Sequence, residues 1–145
     1  MKPAFPAPIT NWHNDTYPSI DPRSPSLSAA GKTIVITGGG TGIGRATVEA
    51  FAQAKAGSIT ITGRRLAPLD ETKKYIEGRY NVPVRIFSAD VVDGVAMRKV
   101  AAEVGEWDIF VHNAGYMSEL KTITETDIED WWKGWEVTHS TYQNQ

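Results

Sequence analysis

The 145-residue chain has no cysteine, which excludes a disulfide framework and a thiolate metal site and makes a reducing, intracellular compartment the simplest setting. It has little net charge: 15 Lys and Arg against 17 Asp and Glu, with the signs interspersed, leave no broad basic face for nucleic acid or anionic lipid. No apolar run approaches the roughly 20 residues of a membrane span, and residues 1–30 lack the continuous apolar stretch of a secretory signal. Arginine is scarce there as well. A transit peptide would be arginine-rich, whereas this segment holds only Lys2 and Arg23 against Asp15 and Asp21. A cytoplasmic protein is expected, with neither membrane nor nucleic acid as a partner. His13, His112 and His139 are too scattered to suggest a metal site, and none is expected. The length and the apolar share of 41% fit one globular domain.

Proline is also scarce beyond residue 30, because six of the eight lie before it, at Pro3, Pro6, Pro8, Pro18, Pro22 and Pro25. Each fixes φ and removes a backbone donor, so residues 1–30 read as a proline-rich arm, with Trp12 and Tyr17 as the side chains able to pin it to a domain surface. From Gly31 the pattern changes. Thr33 to Thr37 is a β-branched run leading into glycines, as a buried parallel strand requires. Ile43, Ala46, Thr47, Ala50, Phe51 and Ala54 then recur at helical spacing, which predicts the buried face of a helix that Gly57 ends. Strands follow at Ser58 to Thr62, Val84 to Ser88 and Asp108 to His112. Helices are expected from about Leu66 to Tyr80 and from about Asp93 to Val104, with Met97, Val100, Ala101 and Val104 on one face. A last helix, capped by Thr124 or Asp127, runs toward Val137. Strands separated by helices of this length imply right-handed βαβ units, an α/β fold with a parallel sheet.

The turn after the first strand reads Thr37-Gly38-Gly39-Gly40-Thr41-Gly42-Ile43-Gly44. Glycines permit a tight turn and let backbone N–H groups approach a pyrophosphate, while the helix that follows offers its positive end. Valine at Gly38 or Gly44 is therefore expected to abolish phosphate binding without unfolding the chain. A nucleoside triphosphate loop fails, since its best register places Arg45 and Ala46 where lysine and a hydroxyl belong. An NAD site would carry an acid at the end of the second strand, where this chain has Thr62-Gly63-Arg64-Arg65. A guanidinium clamps a 2′-phosphate and a carboxylate repels it, so the pair favours NADP(H) over NAD(H); the alternative is a solvated arginine pair. Thr41 is not basic, so a second common source of phosphate contact is missing.

The Thr-Gly-x-x-x-Gly-x-Gly pattern of Thr37 to Gly44 resembles the nucleotide motif of the short-chain dehydrogenases/reductases. Asp90-Val91 after the third strand resembles that family's Asp-Val pair, whose aspartate meets the adenine ring. His112-Asn113-Ala114-Gly115 is similar to its Asn-Asn-Ala-Gly motif, with His112 in the first asparagine's place, a departure that bears on local hydrogen bonding. Motif order and spacing follow the family from Gly31 to about Val137. The fold implied is a Rossmann-like, doubly wound parallel sheet of order 3-2-1-4, truncated after strand four. The cofactor-binding set implied is Thr37, Gly38, Thr41, Gly42, Ile43, Gly44, Arg64, Asp90, Val91 and Asn113. Two of these have structural alternatives: Asp90 as a helix cap, and Asn113 as the partner of a strand end.

Family members transfer hydride to carbonyls or from alcohols with a Tyr-x-x-x-Lys pair and an upstream serine, so a small carbonyl or alcohol is the substrate class implied. The tyrosine delivers a proton while the ammonium lowers its pKa from about 10 toward neutrality. Tyr75 has Arg79 four residues on, Tyr116 has Leu120, and no Tyr-x-x-x-Lys occurs in the chain. No catalytic residue is assigned. The helix after strand four usually carries Val-Asn, but here Val137-Thr138 stands there, and residues 138–145 leave the family pattern. That ending fits either a shortened paralogue or translation across an exon boundary of a full-length reductase, the second being expected. Trp131, Trp132 and Trp135 are expected to pack where their helix covers the sheet or a partner subunit. Three functions follow: the cofactor-binding half of an NADP(H) oxidoreductase, a non-catalytic dinucleotide-binding module, or a product without function. Self-association through the strand-four edge is expected from Ile109, Phe110 and Val111.

Overall fold

The structure, a computed structural model, describes residues 13–139. Its core is a parallel sheet of β1 (Thr33–Thr37), β2 (Ser58–Gly63), β3 (Val84–Ser88) and β4 (Ile109–Val111), in the order β3-β2-β1-β4. Four helices alternate with the strands: α1 (Gly42–Gln53), α2 (Leu66–Tyr80), α3 (Gly94–Val104) and α4 (Ile128–His139). Order and direction are those expected of a doubly wound sheet.

Register explains why the strands are so rich in isoleucine. Ile34 pairs with Ile59 and Ile36 with Ile61, while Ile59 and Ile61 pair in turn with Val84 and Ile86. Side chains alternate along a strand, so these residues share one face of the sheet. They form the main core with Val48 and Ala52 of α1 and Leu69 and Ile76 of α2. The opposite face carries Val35, Thr37, Thr60 and Thr62, all buried. A second, smaller cluster joins Met97 and Val100 of α3 to Ala89 and Val91, with Phe87 and Val137 packed against it.

Helix α1 corrects the expected face. Ile43 is 80% exposed, and the buried positions are Gly44, Val48 and Ala52. Apolar spacing alone missed this because the innermost residue of the first turn is a glycine. The end of the helix differs as well: α1 stops at Gln53 with Ala54 as its cap, and Lys55, at φ 64°, takes the left-handed turn assigned to Gly57. The other ends follow local chemistry. Asp93 caps α3 by accepting from the Val95 and Ala96 N–H groups, both at 3.0 Å. Asp127, rather than Thr124, caps α4 through the Glu129 and Asp130 N–H groups.

Before β1 the chain makes two short 3-10 turns, Pro18–Ile20 and Pro25–Leu27. Ala29 is buried in the main core, and its N–H donates to the Ala54 carbonyl at 2.8 Å. Tyr17 lies on His13, with ring centroids 4.4 Å apart, and Trp12 lies outside the described residues. At the other end, α4 continues through Thr138 and His139. None of its described residues is buried. Trp131, Trp132 and Trp135 are each about half exposed; Trp131 is tilted against Trp132, Trp132 stacks on Trp135, and Trp135 stacks on His139 with centroids 3.7 Å apart.

Candidate functional site

The carboxyl ends of all four strands open into one cleft of about 450 Å³, the place where open α/β sheets bind ligands. Each strand contributes through its carboxyl end and the loop that follows it. After β1 come Gly38 and Gly40 to Gly44; after β2, Gly63, Arg64 and Arg65; after β3, Ala89, Asp90 and Val91; after β4, Asn113 to Tyr116. Every residue of the expected cofactor set lines this cleft except Thr37.

Thr37 is fully buried behind the wall. Its hydroxyl accepts the backbone N–H groups of Asn113 and Ala114, both at 3.0 Å, and lies 3.3 Å from His112 Nδ1. The Asn113 side chain returns the contact, donating from Nδ2 to the carbonyls of Thr37 at 2.9 Å and Gly38 at 3.3 Å. This amide therefore holds the glycine turn against the end of β4. His112 Nε2 sits 3.2 Å from the Thr138 carbonyl, so the histidine that replaces an asparagine bridges β1 and the end of α4.

The glycines divide by task. A Cβ on Gly44 would lie 2.1 Å from the Gly38 carbonyl oxygen and 2.6 Å from Asn113 Nδ2, and one on Gly39 would lie 2.6 Å from Ile61 Cγ2. These residues are small because protein atoms fill the space, and Gly38 has φ +69° with a Cβ position 2.9 Å from Asn113 Nδ2, which corrects the expectation that valine at Gly38 or Gly44 would leave the fold intact. Gly42 is different: φ is +54° and a Cβ there would meet nothing within 4 Å. It opens α1 with Ile43 and Gly44 in the cleft wall, without an acidic side chain in the first turn or a side-chain cap. The first N–H groups of a helix have no intrahelical acceptors, and the dipole there favours an anion.

Around this anion-attracting end stand charges of both signs. Arg64 and Arg65 are exposed, and the Arg64 backbone is fixed by the Ser88 hydroxyl, which donates to its carbonyl at 3.2 Å. Asp90 does not cap α3, a task that falls to Asp93; it accepts the Val92 N–H at 3.2 Å and faces the cleft at the end of β3. Among the described residues, no three His, Asp or Glu side chains gather as metal ligands, and no helix is long and apolar enough to cross a membrane.

A family model for short chain dehydrogenases matches residues 32–141. The chain belongs to the short-chain dehydrogenase family. It is 37% identical over 139 residues to the short chain dehydrogenase citE of Monascus ruber, covering 89% of this chain and 46% of that protein. The short chain dehydrogenase tazN of Aspergillus terreus is 36% identical over 129 residues, covering 86% of this chain and 28% of that one. Among solved structures, the L-sorbose reductase of Gluconobacter frateurii, complexed with NADPH and L-sorbose, superposes with a TM-score of 0.70 at 30% identity, over 81% of this chain and 45% of that one. The chain thus spans less than half the length of these relatives and covers part of the short-chain dehydrogenase fold.

In this short-chain dehydrogenase chain, Tyr116 lines the cleft yet escaped the motif reading, which weighed it only as a member of Tyr-x-x-x-Lys. Its position was a sufficient signal, for it directly follows the last motif residue in a loop at the carboxyl end of a parallel strand. Val137 also reaches the cleft, by way of α4, and no local pattern announces that contact.

Proposed function

We propose that this chain is the dinucleotide-binding part of an NADP(H)-dependent oxidoreductase that moves hydride between the cofactor and a small carbonyl or alcohol, working in the cytoplasm. Residues 31–137 serve as the binding domain, with Ala29 already part of its core and the family match reaching residue 141. The observation that carries this reading is the pair Arg64 and Arg65, which leaves β2 in the wall of the cleft that holds the start of α1, where no carboxylate stands at the strand end. The residues fit such a group. The open, left-handed Gly42 and the uncapped first turn of α1 suit a pyrophosphate, and Arg64 suits a 2′-phosphate. Asp90 and Val91 would border the adenine, and Asn113 keeps the glycine turn in shape. The nicotinamide, when bound, supplies the hydride donor or acceptor. This chain's own residues bind and orient it.

The L-sorbose reductase complex with NADPH supports the preference, while an NAD+-bound xylitol dehydrogenase of like fold, at 20% identity, shows that the fold alone does not set it. A second reading is a non-catalytic dinucleotide-binding module, which the residues lining the cleft would serve equally well. Self-association through the β4 edge belongs to either reading. Calorimetric titration of the Arg64→Ala chain tests the proposal: losing a charge-assisted contact should weaken NADPH binding at least about tenfold and leave NADH nearly unchanged. An Arg64→Ala chain that keeps its preference would overturn it.

A further inference from the structure

Tyr116 stands between two spaces. One is the cleft, where it follows Gly115; the other is a polar hollow of about 440 Å³ bordered by Lys121, Asp127 and Lys133. The ring is held there by α4. Its hydroxyl donates to Asp130 Oδ1 at 2.5 Å, and the other oxygen of Asp130 accepts the Glu119 N–H at 3.4 Å. The backbone runs close to α4 as well, since a Cβ on Gly134 would lie 3.3 Å from the Tyr116 carbonyl oxygen. Both titrations carry the mark of this bond: it pushes the phenol up and the carboxyl down from their ordinary values. Arg64 lines the same cleft, and its positive charge opposes the upward push on the phenol. With the hydroxyl engaged by Asp130, Tyr116 is held at a fixed position in the wall of the cleft that Arg64 also lines.

We propose that Tyr116 is a dinucleotide-contact residue of this cleft and that Asp130 is the residue that positions it, an inference that rests on the cleft being a dinucleotide site. An aromatic face packs against a nucleoside by dispersion, and a ring already immobilised loses little entropy when it does so. Asp130 touches nothing bound. It acts only through the phenol.

The test is NADPH titration of the 145-residue chain, with melting temperatures followed in parallel. Tyr116→Ala should weaken binding about tenfold or more, as loss of a stacking ring does. Tyr116→Phe and Asp130→Ala should each weaken it by about threefold to fivefold, and the double variant no further than either single one, because both remove the same bond. A purely structural role for Asp130 would lower affinity equally in the Tyr116→Phe background, and that additivity would overturn the positioning role. Wild-type affinity in Tyr116→Ala would overturn the contact itself while leaving the dinucleotide reading intact. A wild-type chain that binds no dinucleotide would remove both.

Discussion

Glycines of one motif do different work, and the difference is measurable residue by residue. Gly44→Ala places a methyl group 2.1 Å from the Gly38 carbonyl oxygen, so the variant should melt well below wild type whether or not ligand is present. Gly42→Ala meets no atom and carries only the cost of a left-handed alanine, about 1–2 kcal/mol. It should stay folded while NADPH affinity falls, because the backbone is drawn away from the conformation that faces the anion. Equal melting temperatures for the two variants would contradict this division. Thr37→Val removes the acceptor of two backbone N–H groups, those of Asn113 and Ala114, and should lower stability by about 2–3 kcal/mol, measured by denaturant unfolding. The motif made the glycines visible as a group. Their separate tasks were hidden, since the atoms that crowd Gly44 include an amide 69 residues away, at Asn113.

The strands and most helix ends were legible because each depends on neighbours in sequence: β-branched runs for β1 to β3, an aspartate before α3 and another before α4. The inner face of α1 was not, because its position depends on what lies across the main core. That helix meets α2 through a polar cluster as well. Glu49 Oε1 accepts the hydroxyls of Tyr80 at 2.6 Å and Tyr75 at 2.9 Å, while the Arg45 and Arg79 guanidinium groups lie over the Tyr75 ring. The Tyr80 bond, then the Tyr75 bond, hold the Glu49 carboxyl below its ordinary range. A carboxyl depressed in the folded state adds stability that is complete above its unfolded pKa and is lost as the pH falls through the folded value. Thermal melts from about pH 7 to about pH 3 should therefore show wild type losing more stability than Glu49→Gln, whose amide still accepts but does not titrate. Parallel curves would mean that the cluster contributes nothing to the pH dependence.

In the molecule as a whole, the described structure is well buried on the β2 side and open on the β4 side. Among the described residues β4 pairs only with β1, its three residues are half-buried, and the tryptophans of α4 stand about half exposed. An unpaired strand edge beside exposed aromatic surface is a template for association. The 145-residue chain should accordingly sediment as concentration-dependent oligomers; a monomer with a sharp, concentration-independent melt would count against this. Topology and the cleft's location followed from motif order, because a βαβ sheet has few arrangements and binds at its carboxyl edge. The contributions of α4 to the cleft did not, being set by how a helix packs rather than by a pattern within it. Titrating the wild-type chain with NADPH and NADH by calorimetry puts the central claim to its most direct test. Arg64 and Arg65 at the end of β2 predict NADPH binding at least about tenfold tighter, and equal affinities for the two would contradict the account.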